Sequence, residues 1–322
     1  VVRLEDVARA AGVSKATASR ALSRPSLVAG PTRERVQRLA REMGLNLNPT
    51  ARALFTGKTG ALALIVPSLT NPYFAPILAG AQQELATGRG HALITASDGA
   101  ADEIELAQSL LGHVDGTMLV APRAEDELIR DLAARTPLVV VDRHVPGVPC
   151  FLADTPRGVG QLVAHLTALG HRCVGYVGGP DGSSLDRLRV AAAKRRATAA
   201  GARLEVVAPV SPRLDTGLRL AAEWPFAADV TAVVAYNSYI ALGLLVGLRE
   251  RGVDVPGEVS VAAADDLTAV GGSEALLTSL RVPLDEIGRA AVTALRTGEP
   301  GGAAPPVKLR THLVEGRSTG PA

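Results

Sequence analysis

Lys15, Ala16, Ser19 and Arg20 lie on one side of a short stretch whose other side is Ala18, Ala21 and Leu22. If that stretch is a helix, its polar side can donate hydrogen bonds: Lys and Arg to guanine O6 and N7, small hydroxyls to phosphate oxygens. That chemistry is recognition rather than catalysis. Farther along, Asp98, Asp142, Asn237 and Asp265 each follow an apolar run, and Arg189 lies at the start of the amphipathic stretch after CVGYVGGP. Carboxylates, an amide and a guanidinium can converge on one hydroxylated ligand. The same groups serve equally well to cap helices and satisfy loops, so position alone leaves both uses open.

Other motifs fail on spacing. The Gly-Lys-Thr at 57–59 has Arg52 where a phosphate-binding loop needs glycine. In the Gly-Gly-Pro-Asp-Gly run at 178–182, Pro180 interrupts any dinucleotide fingerprint, and there is no Gly-x-Ser-x-Gly elbow. The six histidines show no metal spacing, and Cys150 and Cys173 give neither a disulfide framework nor a zinc pattern, so two buried thiols in a reducing compartment are expected. We expect no catalytic residue, no cofactor and no metal.

The recognition face needs a frame. Leu4, Val7, Ala8 and Ala11 follow i, i+3, i+4, i+7, one face of a helix. Gly12 allows the left-handed turn that ends it, and Ser14 stands where an N-cap belongs. The spacing then predicts a second helix over Lys15–Ser23 and a third from Pro31 or Thr32, with Val36, Leu39, Ala40 and Met43 inward. Small inner residues let the first two helices approach closely, as a helix-turn-helix requires. A plain three-helix bundle with a solvated basic face would read the same way.

The next segment is more specific. Residues 48–57 combine an N-cap asparagine, a proline at the first helical position and a terminating glycine. At about nine residues this helix is too short to be stable alone, since ~12–15 are marginal in water. Charge divides at the same point. Residues 1–58 carry 11 Lys and Arg against 4 Asp and Glu, a net of +7, whereas the rest carries 23 against 28, a net of −5. A basic module on a mildly acidic body points to a polyanionic partner at one end.

From Gly60 onward, short apolar runs (ALALIV, HALIT, TMLVA, PLVVV, then CVGYVGG, RLEVV, TAVVAY, VSVAA) alternate with amphipathic stretches. That alternation reads as parallel sheets covered on both faces, and two series mean two sheets with a cleft between them. Such sheets bind ligands at the carboxyl ends of their strands. Only 3% of residues are aromatic, so Ala, Val and Leu must build the core.

The chain resembles the LacI-type (lactose/galactose/purine repressor) family over most of its length. LEDVARAAGVSKATASRALS is similar to that family's helix-turn-helix and NPTARALFTGKT to its hinge helix; NPYFAPILAGAQQEL, HVDGTMLV, GGPDGSSLDRLRV and VPGEVSVAAADD are similar to its effector domain, which shares a fold with periplasmic sugar-binding proteins. The resemblance implies that Lys15, Ala16 and Arg20 read bases and that Ser14, Thr17 and Ser19 contact phosphates. It places Leu54 as a minor-groove wedge, with Asn48 and Arg52 as further DNA-binding residues of the hinge. It also implies effector contacts from Arg189, Asn237 and Asp265, with Asp142 and Phe74 lining the pocket. The chain departs from the family's pattern at Ala16, which cannot hydrogen-bond a base, and at Leu47, Thr155, Ala192, Ala193, Pro212 and Ser238.

These readings give an N-terminal all-α helix-turn-helix domain (1–46), a hinge helix (47–58) and an α/β effector domain (59–322). The last comprises two doubly wound parallel-sheet subdomains, periplasmic-binding-protein-like, with crossovers near 142–156 and 265–285. The expected protein is a cytoplasmic homodimer, without a membrane segment, leader or tetramerisation helix. It binds double-stranded operator DNA as a transcriptional regulator, expected to be a repressor, under control of a small effector, a sugar ahead of a purine-like base. A sugar-binding or transport protein and an α/β enzyme using the same cleft are the rivals; the basic N-terminal module and the expected lack of a leader argue against the first, and the lack of a convincing nucleophile or cofactor motif against the second.

Overall fold

The computed structural model describes residues 2–23, 27–45, 58–88, 90–97, 99–266, 276–298 and 305–322. The chain opens with three helices, α1 (Leu4–Ala10), α2 (Lys15–Ser23) and α3 (Gly30–Glu42). In the first turn of α1 the Arg3 backbone N–H donates to Asp6 Oδ2 at 2.9 Å. Gly12 turns the chain at φ +63°, where a side chain would be strained. Ser14 Oγ then accepts the Thr17 backbone N–H at 3.1 Å, capping α2. Ala18 and Ala21 are fully buried against Val7 and Val36, and Gln37 Nε2 on α3 donates to the Ala21 carbonyl at 3.2 Å. Only side chains as small as alanine allow this contact between α1 and α2.

The body follows as β1 (Ala61–Val66), a 3-10 turn (Pro72–Phe74), α4 (Ala75–Thr87), β2 (His91–Ala96), α5 (Ala100–Ser109), β3 (Gly116–Val120), α6 (Asp126–Ala133), β4 (Leu138–Val141) and β5 (Cys150–Ala153). It continues with α7 (Thr155–Ala168), β6 (Cys173–Val177), α8 (Ser184–Ala199), β7 (Arg203–Val207), α9 (Leu214–Glu223), β8 (Ala232–Ala235), α10 (Ser238–Glu250), β9 (Ser260–Ala263), β10 (Thr278–Arg281), α11 (Leu284–Thr297), β11 (Val307–Leu309) and β12 (His312–Val314). The first sheet has the order β11-β5-β4-β3-β1-β2 and the second β12-β10-β9-β8-β6-β7. Every pairing is parallel except β10 with β12. The inner strands are buried on both faces, which is why they read as unbroken apolar runs; β2 and β7 are edges and half-exposed.

The chain passes between the sheets after β5 into α7, after β10 into α11, and from β11 to β12. The third pass adds to the pair expected from sequence. Its strands are three residues each, too short to leave a periodic signal. Helix α11 returns to pack on the first sheet against α4, where a Cβ on Gly288 would fall 2.1 Å from the Ile77 carbonyl oxygen. Both cysteines are buried free thiols. His171, also buried, bonds Thr231, Ser260 and the Gly320 carbonyl at 2.7–3.2 Å and so pins the C-terminal residues to the second sheet. No helix among the described residues is long and apolar enough to cross a membrane.

Candidate functional site

Two sites emerge. The first is the outer face of α2, where Ser14, Lys15, Ala16 and Arg20 are exposed and Thr17 and Ser19 half-buried. Ser14 spends its hydroxyl on capping, since its Oγ lies 3.1 Å from Thr17 N and 2.9 Å from Thr17 Oγ1. Lys15 is ion-paired with Glu5 of α1, Nζ to Oε1 at 2.6 Å. The expected hinge contacts Asn48, Arg52 and Leu54, and Asp98 of the body, lie outside the described residues.

The second is a cavity of about 700 Å³ between the two sheets. The five body residues to which the resemblance gave effector roles, Phe74, Asp142, Arg189, Asn237 and Asp265, line it. Phe74 ends the 3-10 turn that Asn71 caps and packs edge-on against Tyr73 with ring centroids 5.5 Å apart. Asp142 follows β4 at φ +60° and Ala121 follows β3 at φ +45°, so two left-handed non-glycine residues sit at this one cavity. Backbone of that kind persists where surrounding structure enforces it, and it concentrates at binding sites.

The buried polar groups are wired differently from one another. Arg189 is 3% exposed; Nε donates to Thr155 Oγ1 at 2.9 Å and Nη1 to the Tyr236 carbonyl at 3.1 Å, with the guanidinium 4.8 Å from the Tyr236 ring centroid. Asn237 is spent on structure: Oδ1 accepts from Ile240 N at 3.0 Å as the α10 cap, and Nδ2 donates to the Pro212 carbonyl at 3.1 Å. Asp265 Oδ1 accepts from Ser238 N at 2.5 Å. Asp142 Oδ2 accepts from the Tyr73 hydroxyl at 2.7 Å, while its Oδ1 is buried without a hydrogen bond of normal geometry, although the Ala153 backbone N–H lies near enough to pull the carboxyl down. An orphaned carboxylate oxygen is costly to bury unless a ligand supplies the missing donor. Asn237 thus caps α10 from the cavity wall, and Asp142 lines the same cavity.

Sequence reasoning missed Tyr73 and Tyr236, each adjacent to a chosen residue. Their apolar rings read as core, and nothing in the spacing marks a hydroxyl or carbonyl aimed inward. It also missed Asp186, which accepts from the Tyr176 hydroxyl at 2.8 Å and Gly179 N at 2.9 Å, tying the start of α8 to the end of β6 one turn before Arg189. Of the departures from the family pattern, Thr155 and Pro212 support Arg189 and Asn237, whereas Ala192 and Ala193 are buried.

Burial dominates the electrostatics. It pushes the Asp142 carboxyl upward, against the pull of Tyr73 and Arg189. It raises Tyr73 as well, helped by Asp142, so the phenol stays a donor. Burial brings Asp265 up to about 6 from 3.8 against its bonds to Ser238 and the nearby Arg189. A folded-state value above the unfolded one means the native chain binds more protons between those two values, so stability falls as pH rises from about 4 to 6. The carboxylate thus costs about 3 kcal/mol at pH 7. Asp265→Asn should be more stable than the parent by that order at pH 7, with the gap closing toward pH 4. Thermal unfolding across that range checks this; a gap independent of pH would contradict it.

Among the described residues the one cluster of metal-capable atoms, Cys173, Glu205 and Asp229, already holds the Arg203 guanidinium, at 3.2, 3.1 and 2.5 Å respectively. Among the described residues the cavity lining offers one buried guanidinium and two buried carboxyls, with Arg123, Arg143, Arg187 and Asp181 at more exposed positions.

Residues 3–48 match the bacterial regulatory proteins of the lacI family, and residues 163–319 match a periplasmic binding protein-like domain. The chain is 30% identical over 334 residues to the HTH-type transcriptional regulator PtxS of Pseudomonas plecoglossicida, covering 99% of this chain and 96% of that one. It is 32% identical over 329 residues to the HTH-type transcriptional regulator CelR of Thermobifida fusca, with 97% and 96% covered. Among solved structures it is similar to a CelR–cellobiose complex, 26% identical with a TM-score of 0.70 over 99% of this chain and 100% of that one. It shares the fold of the Lac repressor dimer bound to operator and the anti-inducer ONPF, 24% identical with a TM-score of 0.83 over 99% of both chains.

Proposed function

Because this chain belongs to the LacI family of bacterial transcriptional regulators, we propose that it acts as a repressor, binding a palindromic operator as a homodimer whose affinity a small neutral saccharide controls. The observation that carries this is the cavity itself. Its lining comes from both sheets, with Asp142 from the first and Arg189 and Asp265 from the second. A ligand that bonds to all three would favour one separation of the sheets over others.

A sugar fits ahead of a purine-like base, because each hydroxyl both donates and accepts, as the orphaned Asp142 oxygen and the Arg189 fork require. Relatives have been solved with cellobiose and with ribose, which supports the same class here. Dimerisation is supported by exposed apolar side chains on the sheet edges farthest from the crossings, Leu93 and Ile94 of β2 and Val206 of β7. Two-fold symmetry would present two copies of α2 to two half-sites. Residues 48–56 then fold over the minor groove only when paired, so a small change in spacing between the two bodies decides whether they fold. Effector and DNA are linked reciprocally through that step, by ~1–3 kcal/mol.

Selection of duplexes from a randomised pool tests the proposal: the full chain should enrich a palindromic sequence, and residues 59–322 should enrich none. Enrichment by neither would refute it. On the selected duplex, Arg20→Ala should weaken binding by ~1–3 kcal/mol and a scrambled duplex much less. Equal loss on both would assign Arg20 to phosphate.

A further inference from the structure

Glu5 lies on α1, yet it reaches the recognition helix: its Oε1 is 2.6 Å from Lys15 Nζ, with the two side chains 53% and 64% exposed. That hydrogen bond is the main reason the Glu5 carboxyl sits below its usual range. The start of α1 does not need it, because the neighbouring Asp6 already accepts the Arg3 backbone N–H at 2.9 Å. As an exposed ion pair it adds little to stability.

On a surface meant for a polyanion, a carboxylate is a liability against every phosphate. Among the base edges of the major groove the exocyclic amino group of cytosine suits it well, whereas guanine offers the two acceptors that a lysine reads. Lysine alone is a flexible point charge and a poor discriminator. Ala16, the next residue on this face, has no hydrogen bond to offer.

We propose that Glu5 and Lys15 form a two-residue reader of a G·C pair, Glu5 accepting from cytosine N4–H while holding Lys15 toward guanine O6 and N7, and that Glu5 disfavours other duplexes by repelling phosphate. This rests on the operator-binding reading above. It makes Glu5 a specificity residue on a helix otherwise concerned with packing.

The test compares the full chain with its Glu5→Gln and Lys15→Gln variants. Each is used to select from randomised duplexes. Dissociation constants are then measured on the parent's selected duplex, on versions with each base pair replaced, and on a scrambled duplex of equal length. The parent should select a G·C pair in each half-site. Glu5→Gln should lose about ten-fold discrimination at that pair, gain affinity for the scrambled duplex, and keep its other preferences. Lys15→Gln should lose preference at the same pair. A Glu5→Gln variant that selects the parent's sequence with every preference intact overturns the proposal. If the parent itself enriches nothing, the operator-binding reading fails, and this proposal with it.

Discussion

Arg189→Met should abolish the response to saccharide while leaving operator binding in place. Arg189 is the one fully buried cation of the cavity among the described residues, and it acts on Asp142 and Asp265 together. Its removal also frees the Thr155 hydroxyl and the Tyr236 carbonyl. Breaking a buried charge network by deleting one partner costs roughly 3–5 kcal/mol. Part of that returns on acidification. Without the guanidinium both carboxyls are pushed up further, and once protonated they no longer bear the cost of a buried charge, so the stability deficit should be largest at pH 7 and smaller at pH 5. Lysine should not rescue the response, because its single ammonium cannot reproduce a planar fork bonded at two nitrogens. Calorimetric titration with saccharide, unfolding at the two pH values and operator binding separate the effects. A retained saccharide response would show that the pocket is elsewhere.

Leu54→Ala should reduce operator affinity by ~10–100-fold and straighten the bound duplex, without changing the unfolding of the body. On the proposed reading the hinge helix is shorter than the ~12–15 residues that are marginal alone in water, and an apolar wedge that unstacks a base step would reward its folding on DNA. Bending a site of 20–30 base pairs costs ~1–6 kcal/mol, so losing the wedge forfeits contacts that only a bent duplex offers. Binding to non-specific DNA should hardly change, since charge dominates there. Gel-shift bending measurements with unaltered mobility would count against the wedge.

Much of the frame was legible in the residues. Gly12, Ser14 and the paired alanines Ala18 and Ala21 marked two short, closely packed helices joined by a tight turn, because each meets a local steric or capping demand. Strand ends were equally readable, since burial on both faces leaves unbroken apolar runs and polarity resumes where the cleft begins. That rule pointed to Asp142, Asn237 and Asp265, the family resemblance added Arg189, and all four line one cavity. It did not separate their uses. Asn237 has both polar atoms bonded and Asp142 only one oxygen well bonded, a difference that depends on Pro212 and Tyr73, 25 and 69 residues away. The Glu5–Lys15 pair was hidden for a similar reason, as it joins two helices across a turn. The third pass between the sheets was too short to show a period.

The central claim is that the cleft and the operator communicate. Operator affinity of the full chain, measured with and without a saccharide that binds residues 59–322, tests it most directly. Saturating saccharide should shift that affinity by about 5–150-fold, and operator should shift saccharide affinity by the same factor. A saccharide that binds tightly yet leaves operator affinity unchanged would contradict the account.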